Sequence, residues 1–221
     1  RAIIYCKLIK MNKFTYSIAI LIFSIPGIFA QNNPDAERVI NNLLNSAKTN
    51  AIKTNFKLSV TEKNALNSHS NSGTFILKAN KFVLEMDETK AWFDGKTQWA
   101  YMEQNNEVSI TEPTDTELAQ VNPMAILSGY KLKSNIRFGK SKSAQNYFVE
   151  MTPKQKNNDF TKIEVVVGKN TGNLVSIKMN LKNGSTMFLT LSNYQKGIKV
   201  TDDTFVFNKN KFKGVTINDL R

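Results

Sequence analysis

The chain has 221 residues, 41% apolar and 22% charged, which suffices for one globular domain and hardly for two. It carries 30 Lys and Arg against 18 Asp and Glu, a net charge of +12, with one cysteine (Cys6) and one histidine (His69). These counts exclude an intrachain disulfide framework and a Cys/His zinc site, and no other metal site or cofactor motif is expected.

Met11-Asn12-Lys13 is followed by an uncharged run from Phe14 to Ala30 with an apolar centre at Ile18-Ala19-Ile20-Leu21-Ile22-Phe23. A basic start, a short apolar centre and a small residue before Gln31 describe a secretory signal peptide, with residues 1–10 upstream of its start. Interrupted by Pro26-Gly27, the run is short for a membrane span. Removing residues 1–30 takes away Arg1, Lys7, Lys10, Lys13 and Cys6, leaving 191 residues at a net charge of +8. A cysteine-free mature chain fits an exported, oxidising compartment. The basic residues are 26 Lys to 4 Arg, scattered among Asn, Thr and acids. Base reading and stacking favour Arg, so no nucleic-acid partner is expected.

Pro34 to about Ile52 reads as one amphipathic helix. Asn33 suits the cap, Pro34 the first position, and Asp35 and Glu37 the positive end of the dipole. Ala36, Val39, Ile40, Leu43, Leu44 and Ala47 form one apolar stripe that must lie on something apolar.

Nearly everything after it alternates as strand. Phe56, Leu58 and Val60 are followed by a polar stretch, Ser68-His69-Ser70-Asn71-Ser72, that reads as an exposed loop. Gly73 then opens Thr74 to Lys78, and Phe82, Leu84 and Met86 alternate in turn. Asp94-Gly95 joins Ala91-Trp92-Phe93 to Gln98–Met102, and Asn183-Gly184 joins Leu174–Leu181 to Thr186–Leu191, both as hairpin turns. Val108 with Ile110, Ile136–Phe138, Tyr147–Met151, Ile163–Val167 and Phe205–Phe207 complete ten or eleven strands of an antiparallel meander.

The alternation stops between Glu112 and Tyr130. Thr114 with Glu117 makes a capping box, Leu118, Val121, Met124, Ile126 and Leu127 are helically spaced, Pro123 divides the run in two, and Gly129 is placed to end the second helix. The insert is either a plug over a barrel mouth or a surface addition. About ten twisted strands must curl and hide an apolar face, and the cover is one long and two short helices. The result is an apolar hollow or a solid core; periodicity fits both. Six methionines after residue 30 favour an adaptable lining.

Trp92-Phe93-Asp94-Gly95-Lys96-Thr97-Gln98-Trp99-Ala100-Tyr101, with Gly73-Thr74-Phe75 and Lys81-Phe82 upstream, resembles the LolA family, the periplasmic outer-membrane lipoprotein carriers. Asn122 to Gly129 is similar to its helical segment. Phe205-Val206-Phe207, Phe212-Lys213-Gly214-Val215 and Asp219-Leu220-Arg221 are similar to its C-terminal strand and tail. The resemblance covers residues 33–221. It implies a mainly β fold: an incomplete antiparallel β-barrel of about eleven strands, with a long N-terminal helix and a short helical lid over a hollow for acyl chains. It implies a monomer in the periplasm and no cofactor. The implied partners are lipoprotein acyl chains, an inner-membrane lipoprotein-releasing ABC transporter, and an outer-membrane acceptor or the membrane itself. Well-known members carry an Arg shortly after the Lys-Phe pair that bonds the lid shut; here Val83-Leu84-Glu85 follows, and no Arg stands there.

The residues assigned to the cavity wall are Phe75, Phe82, Leu84, Met86, Trp92, Trp99, Met179 and Met187, and those assigned to the lid are Leu118, Met124, Ile126 and Leu127. Lys131, Lys133, Arg137, Lys140 and Lys142, twelve residues without an acid, form a candidate docking patch for an acidic partner or anionic headgroups. A lipid- or lipoprotein-sensing regulatory module of the same fold is the alternative. Enzyme activity is not expected, since Asp87-Glu88 and Asp202-Asp203 are adjacent pairs whose members point to opposite faces of a strand.

Overall fold

The computed structural model describes residues 32–221 except Leu66 and Asn157, so the signal-peptide reading of residues 1–30 lies outside it. Helix α1 (Pro34–Thr49) starts where the sequence places it: the Asn33 side chain accepts from the backbone N–H groups of Asp35 and Ala36, both at 3.0 Å. Ala36, Ile40, Leu43 and Ala47 are buried along the stripe, with Val39 and Leu44 packed beside them. Asn50 caps the far end and the chain turns straight into strand, so the helix stops short of Ile52.

Two series of strands follow. The first is β1 (Ile52–Thr61), β2 (His69–Lys78), β3 (Lys81–Met86), β4 (Thr89–Phe93), β5 (Gln98–Met102) and β6 (Glu107–Thr111). After helices α2 (Asp115–Val121) and α3 (Pro123–Lys131) come β7 (Ser134–Phe138), β8 (Asn146–Pro153), β9 (Phe160–Gly168), β10 (Leu174–Leu181) and β11 (Thr186–Lys196). A short β12 (Thr216–Asp219) ends the chain. All twelve lie in one open sheet, ordered β12-β6-β5-β4-β3-β2-β1-β11-β10-β9-β8-β7.

Each series is a meander, and the two are joined side by side through β1 and β11. Residues 112–133 must therefore carry the chain from one flank of the sheet to the other, and α2 and α3 lie on that route. Helix α1 touches both β2 and β7, and α3 also touches β7, so the sheet curls around the helices as an incomplete barrel. The inner face holds the main core of Ile40, Phe82, Leu127, Met151, Ile163 and Ile177 among others. Gly73 permits a close approach of β2 to β3: a Cβ there would stand 1.9 Å from the Glu85 carbonyl oxygen on β3.

The two ends of the sheet are finished differently. The Asn33 N–H donates to the Ile136 carbonyl (2.7 Å), and the Asn32 side chain accepts from the Ile136 N–H (2.9 Å), so the lead-in to α1 occupies edge strand β7. At the other edge β12 pairs with β6 in parallel.

Several details differ from the sequence reading. His69 is exposed but lies in β2 opposite Val60, because the β1–β2 ladder runs on past its apolar part through Ser and Asn. Phe205–Phe207 is not a strand: Thr201 and Thr204 bond reciprocally around a 3-10 turn over Asp202–Phe205, which drives Phe205 into a core. The last strand is β12, and it breaks the purely antiparallel pattern. Gly129 lies inside α3, which ends two residues later; nothing crowds that position to force a stop.

Candidate functional site

The outer face of β3–β6 carries a second, smaller core. Strand alternation sends Val83, Trp92, Trp99 and Tyr101 outward, and the segment after β11 folds over them with Phe205, Phe207 and Phe212. Trp92 meets Phe207 and Phe212 edge-on at 5.4 and 5.7 Å, and Tyr101 lies 4.5 Å from Phe212. Lys81 fastens the strap through an ion pair to Asp202 at 2.8 Å. Trp92 and Trp99 thus face away from the helices and line no hollow beneath them. This corrects their assignment to the cavity wall: Trp92 stands between the inward residues Ala91 and Phe93, Trp99 is its direct partner across the β4–β5 ladder and so shares its face, and the apolar strap, not a cavity, shelters them.

The inner face holds an apolar hollow of about 110 Å³ beneath the lid helices. Its walls are Phe56 and Leu58 of β1, Phe75 of β2, Leu84 and Met86 of β3, and Met187, Leu189 and Leu191 of β11. Val121, Pro123 and Ile126 close it from above, and Asn71 is the one polar side chain in its lining. Of the eight wall residues read from sequence, the structure brings Phe75, Leu84, Met86 and Met187 to this hollow. Phe82 and Met179 are buried in the adjoining core, where Phe82 stacks between Phe75 (5.6 Å) and Phe93 (5.4 Å). Phe56, Leu58, Leu189 and Leu191 were not singled out, although they carry the same alternation; only the β1–β11 register, with Phe56 opposite Leu191 and Leu58 opposite Leu189, shows that they meet.

The lid is built by local signals. Thr114 and Glu117 form the reciprocal capping box that starts α2. The Asn122 side chain accepts from the Met124 and Ala125 N–H groups at 2.9 and 3.3 Å and starts α3. Met124, Ile126 and Leu127 are buried and Leu118 is half-buried against the core. Ile126 faces the hollow, whereas Leu118 and Met124 face a second opening. That opening, of about 730 Å³, lies on the other flank of α3, between it, α1 (Leu44, Ala47, Lys48) and Phe93. Ala125, Ser128 and Gly129 present only small side chains to it. Helix α3 therefore sits between a tight apolar hollow and a roomier groove.

Among the described residues no arginine bonds the lid helices. At the positions after Lys81-Phe82, Glu85 points outward, where its hydrogen bond from Lys90 and a further one from Thr74 hold its carboxyl below the usual range. The lid is held by burial, by the Ser134 hydroxyl donating to the Tyr130 carbonyl (2.8 Å), and by Tyr130 edge-on to Phe160 (4.7 Å).

The five docking-patch residues are dispersed. Lys131 and Lys133 flank the end of α3, while Lys140 and Lys142 lie beyond the other end of β7. Five strand residues separate the two pairs, about 17 Å. Arg137, between them, is tied to Glu150 across the β7–β8 pair (3.1 Å). Among the described residues no three His, Cys, Asp or Glu side chains come together as a metal site, and no helix is long and apolar enough to cross a membrane.

Residues 27–185 match the family model described as outer membrane lipoprotein carrier protein LolA. The chain belongs to the LolA family. The match takes in α1, β1–β10 and the lid helices, and ends before β11 and the outer strap. Among solved structures, an uncharacterized conserved protein from Thermus thermophilus aligns with a TM-score of 0.55 at 9% identity, covering 84% of this chain and 99% of that one. The LolA superfamily protein NE2245 from Nitrosomonas europaea aligns at 0.42 and 10% identity, covering 78% and 97%. A putative outer membrane lipoprotein-sorting protein domain from Vibrio parahaemolyticus aligns at 0.44 and 13% identity, covering 81% and 98%. No curated protein matches the chain. For this LolA-family chain the likeness to the Thermus protein speaks to fold alone.

Proposed function

We propose that this LolA-family protein is a monomeric periplasmic carrier that shelters the acyl chains of lipoproteins under α2 and α3 on their way from inner to outer membrane. The observation that carries the reading is the hollow itself: twelve lining residues, eleven of them apolar, roofed by two short, separately capped helices. Family membership supports the same reading.

The hollow's size sets the mechanism. About 110 Å³ is smaller than a ~150 Å³ apolar cavity that holds a single benzene molecule, and far too small for an acyl chain. An acyl chain enters only if the lid yields. Helix α3 has room to yield, because the groove on its far flank can receive it. Loading then exchanges lid-to-sheet contacts for acyl-to-sheet contacts. Burial contributes ~0.8 kcal/mol per CH₂, so a multiply acylated anchor would bind almost irreversibly to an open trough. The cost of displacing Met124, Ile126 and Leu127 from the core offsets part of that, and release becomes possible. No covalent chemistry enters this scheme. In the same reading an inner-membrane lipoprotein-releasing ABC transporter loads the carrier, and an outer-membrane acceptor or the membrane itself receives the cargo.

Mass spectrometry of the protein isolated from its own envelope tests the reading. Co-purified acylated lipoprotein is the expected result. Free lipid alone, or a stable complex with a signalling protein and no lipid, would count against the carrier role.

A further inference from the structure

Leu132 is the most exposed large apolar side chain in the described structure, at 79% of its free surface. It stands at the tip where α3 turns into β7, between Lys131 and Lys133. The Lys154 N–H donates to the Lys133 carbonyl (2.9 Å) just beyond the Ser134–Pro153 pair, so Lys133 and Lys154 sit across the ladder from each other. The Lys154 ammonium also bonds the Leu132 carbonyl (3.1 Å), fixing the tip, and Lys156 is exposed two residues further along the chain. Like charges facing across a ladder destabilise it. Among the described residues none of these four lysines has a carboxylate partner, although seven ion pairs form elsewhere, one of them (Arg137–Glu150) three residues beyond Ser134.

We propose that this corner, Leu132 framed by Lys131, Lys133, Lys154 and Lys156, docks on the anionic headgroup surface of a phospholipid leaflet. A protruding leucine reaches the acyl boundary while flexible lysine stems let their ammonium groups stay at headgroup level. Each lysine near an anionic surface strengthens attachment, and a small apolar anchor beside a basic cluster combines apolar burial with electrostatic attraction, the two contributions that add in interfacial membrane binding. Protein interfaces are depleted in Lys and built on aromatic and Arg anchors, none of which stands at this tip, so a lipid surface fits better than a protein. The corner closes the lid helix itself. Docking therefore acts on the C-terminal end of α3, at the element that must move for cargo to leave.

The docking does not depend on cargo, so it is measured on vesicles free of lipoprotein. The purified protein is floated with phosphatidylglycerol-containing vesicles and with pure phosphatidylcholine vesicles, and binding of a fluorescent fatty acid is measured on the same variants. Expected are binding to the anionic vesicles alone, about tenfold weaker binding for Leu132→Asp and for Lys133→Glu with Lys154→Glu, and unchanged fatty-acid binding. The charge-matched control, Lys57→Glu with Lys178→Glu on the outer face of the sheet, should keep vesicle binding within about twofold. Equal loss in the two double variants would reduce the effect to net charge and overturn the proposal. So would normal flotation of Leu132→Asp, absence of flotation with anionic vesicles, or binding of the tip to a soluble acidic protein with no flotation. Loss of fatty-acid binding with flotation intact would instead count against the carrier reading alone.

Discussion

Trp92 and Phe93 are consecutive in the chain and belong to different cores. Phe93 lies 5.4 Å from Phe82 under the helices; Trp92 lies 5.4 Å from Phe207 on the outer side of the sheet. Truncating either side chain should cost about 3–5 kcal/mol, the range for a large buried aromatic. The consequences should separate: Trp92→Ala frees the strap over residues 198–215 while the hollow keeps its walls. Limited proteolysis should cut that strap first in Trp92→Ala, with fatty-acid binding retained.

Gly73→Ala puts a methyl group 1.9 Å from the Glu85 carbonyl, in backbone that has no flexible end to swing away. The β2–β3 pair must part there. A loss at or above the ~1–3 kcal/mol of an overpacked core is expected in urea unfolding. A variant as stable as the wild type would mean that the β2–β3 pair can make room for a side chain at this position.

Met187 faces the hollow and Phe188, its neighbour, faces solvent. Met187→Gln places an amide against apolar walls, at ~1–3 kcal/mol if unpaired, and should weaken fatty-acid binding about tenfold. Phe188→Gln should leave it unchanged. Equal effects from the two would place the ligand elsewhere.

Asn122 is buried and caps α3 through two backbone N–H groups. Asn122→Ala should cost ~1 kcal/mol. Hydrogen exchange should show the loss first in residues 123–131, well before the strands respond.

The Glu117 carboxyl is held below its usual value by the hydrogen bond from the Thr114 backbone N–H and a second from its hydroxyl. A depressed carboxylate contributes its stability above the ordinary carboxylate value and loses it as pH falls through the lowered one. Exchange in α2 should therefore quicken on acidification through that window, and Glu117→Ala should remove this pH dependence. A pH profile identical in wild type and variant would assign the acid response to another group.

Much of the site's machinery was legible in local signals. The Asn33 cap, the stripe from Ala36 to Ala47 and the Thr114–Glu117 box involve residues within a few positions of one another, and caps and helix stripes need no distant partner. The Asp94-Gly95 and Asn183-Gly184 turns follow the same logic. The cavity wall was half legible. Period-2 alternation says that Trp92 and Phe93 face opposite ways, but not which of them faces the helices, because both faces of β3–β6 are apolar.

The sequence by itself determined the presence of the helices, the Asn33 and Thr114 caps, most of the alternating strands and the family resemblance, since each rests on neighbours along the chain. Only the tertiary structure decided that β1 pairs with β11, that Phe56 and Leu191 therefore share a wall, and that the outer apolar face is sheltered by the chain's own tail. Those contacts join residues over a hundred positions apart, and loop-closure and strand pairing across such distances leave no periodic trace in the sequence.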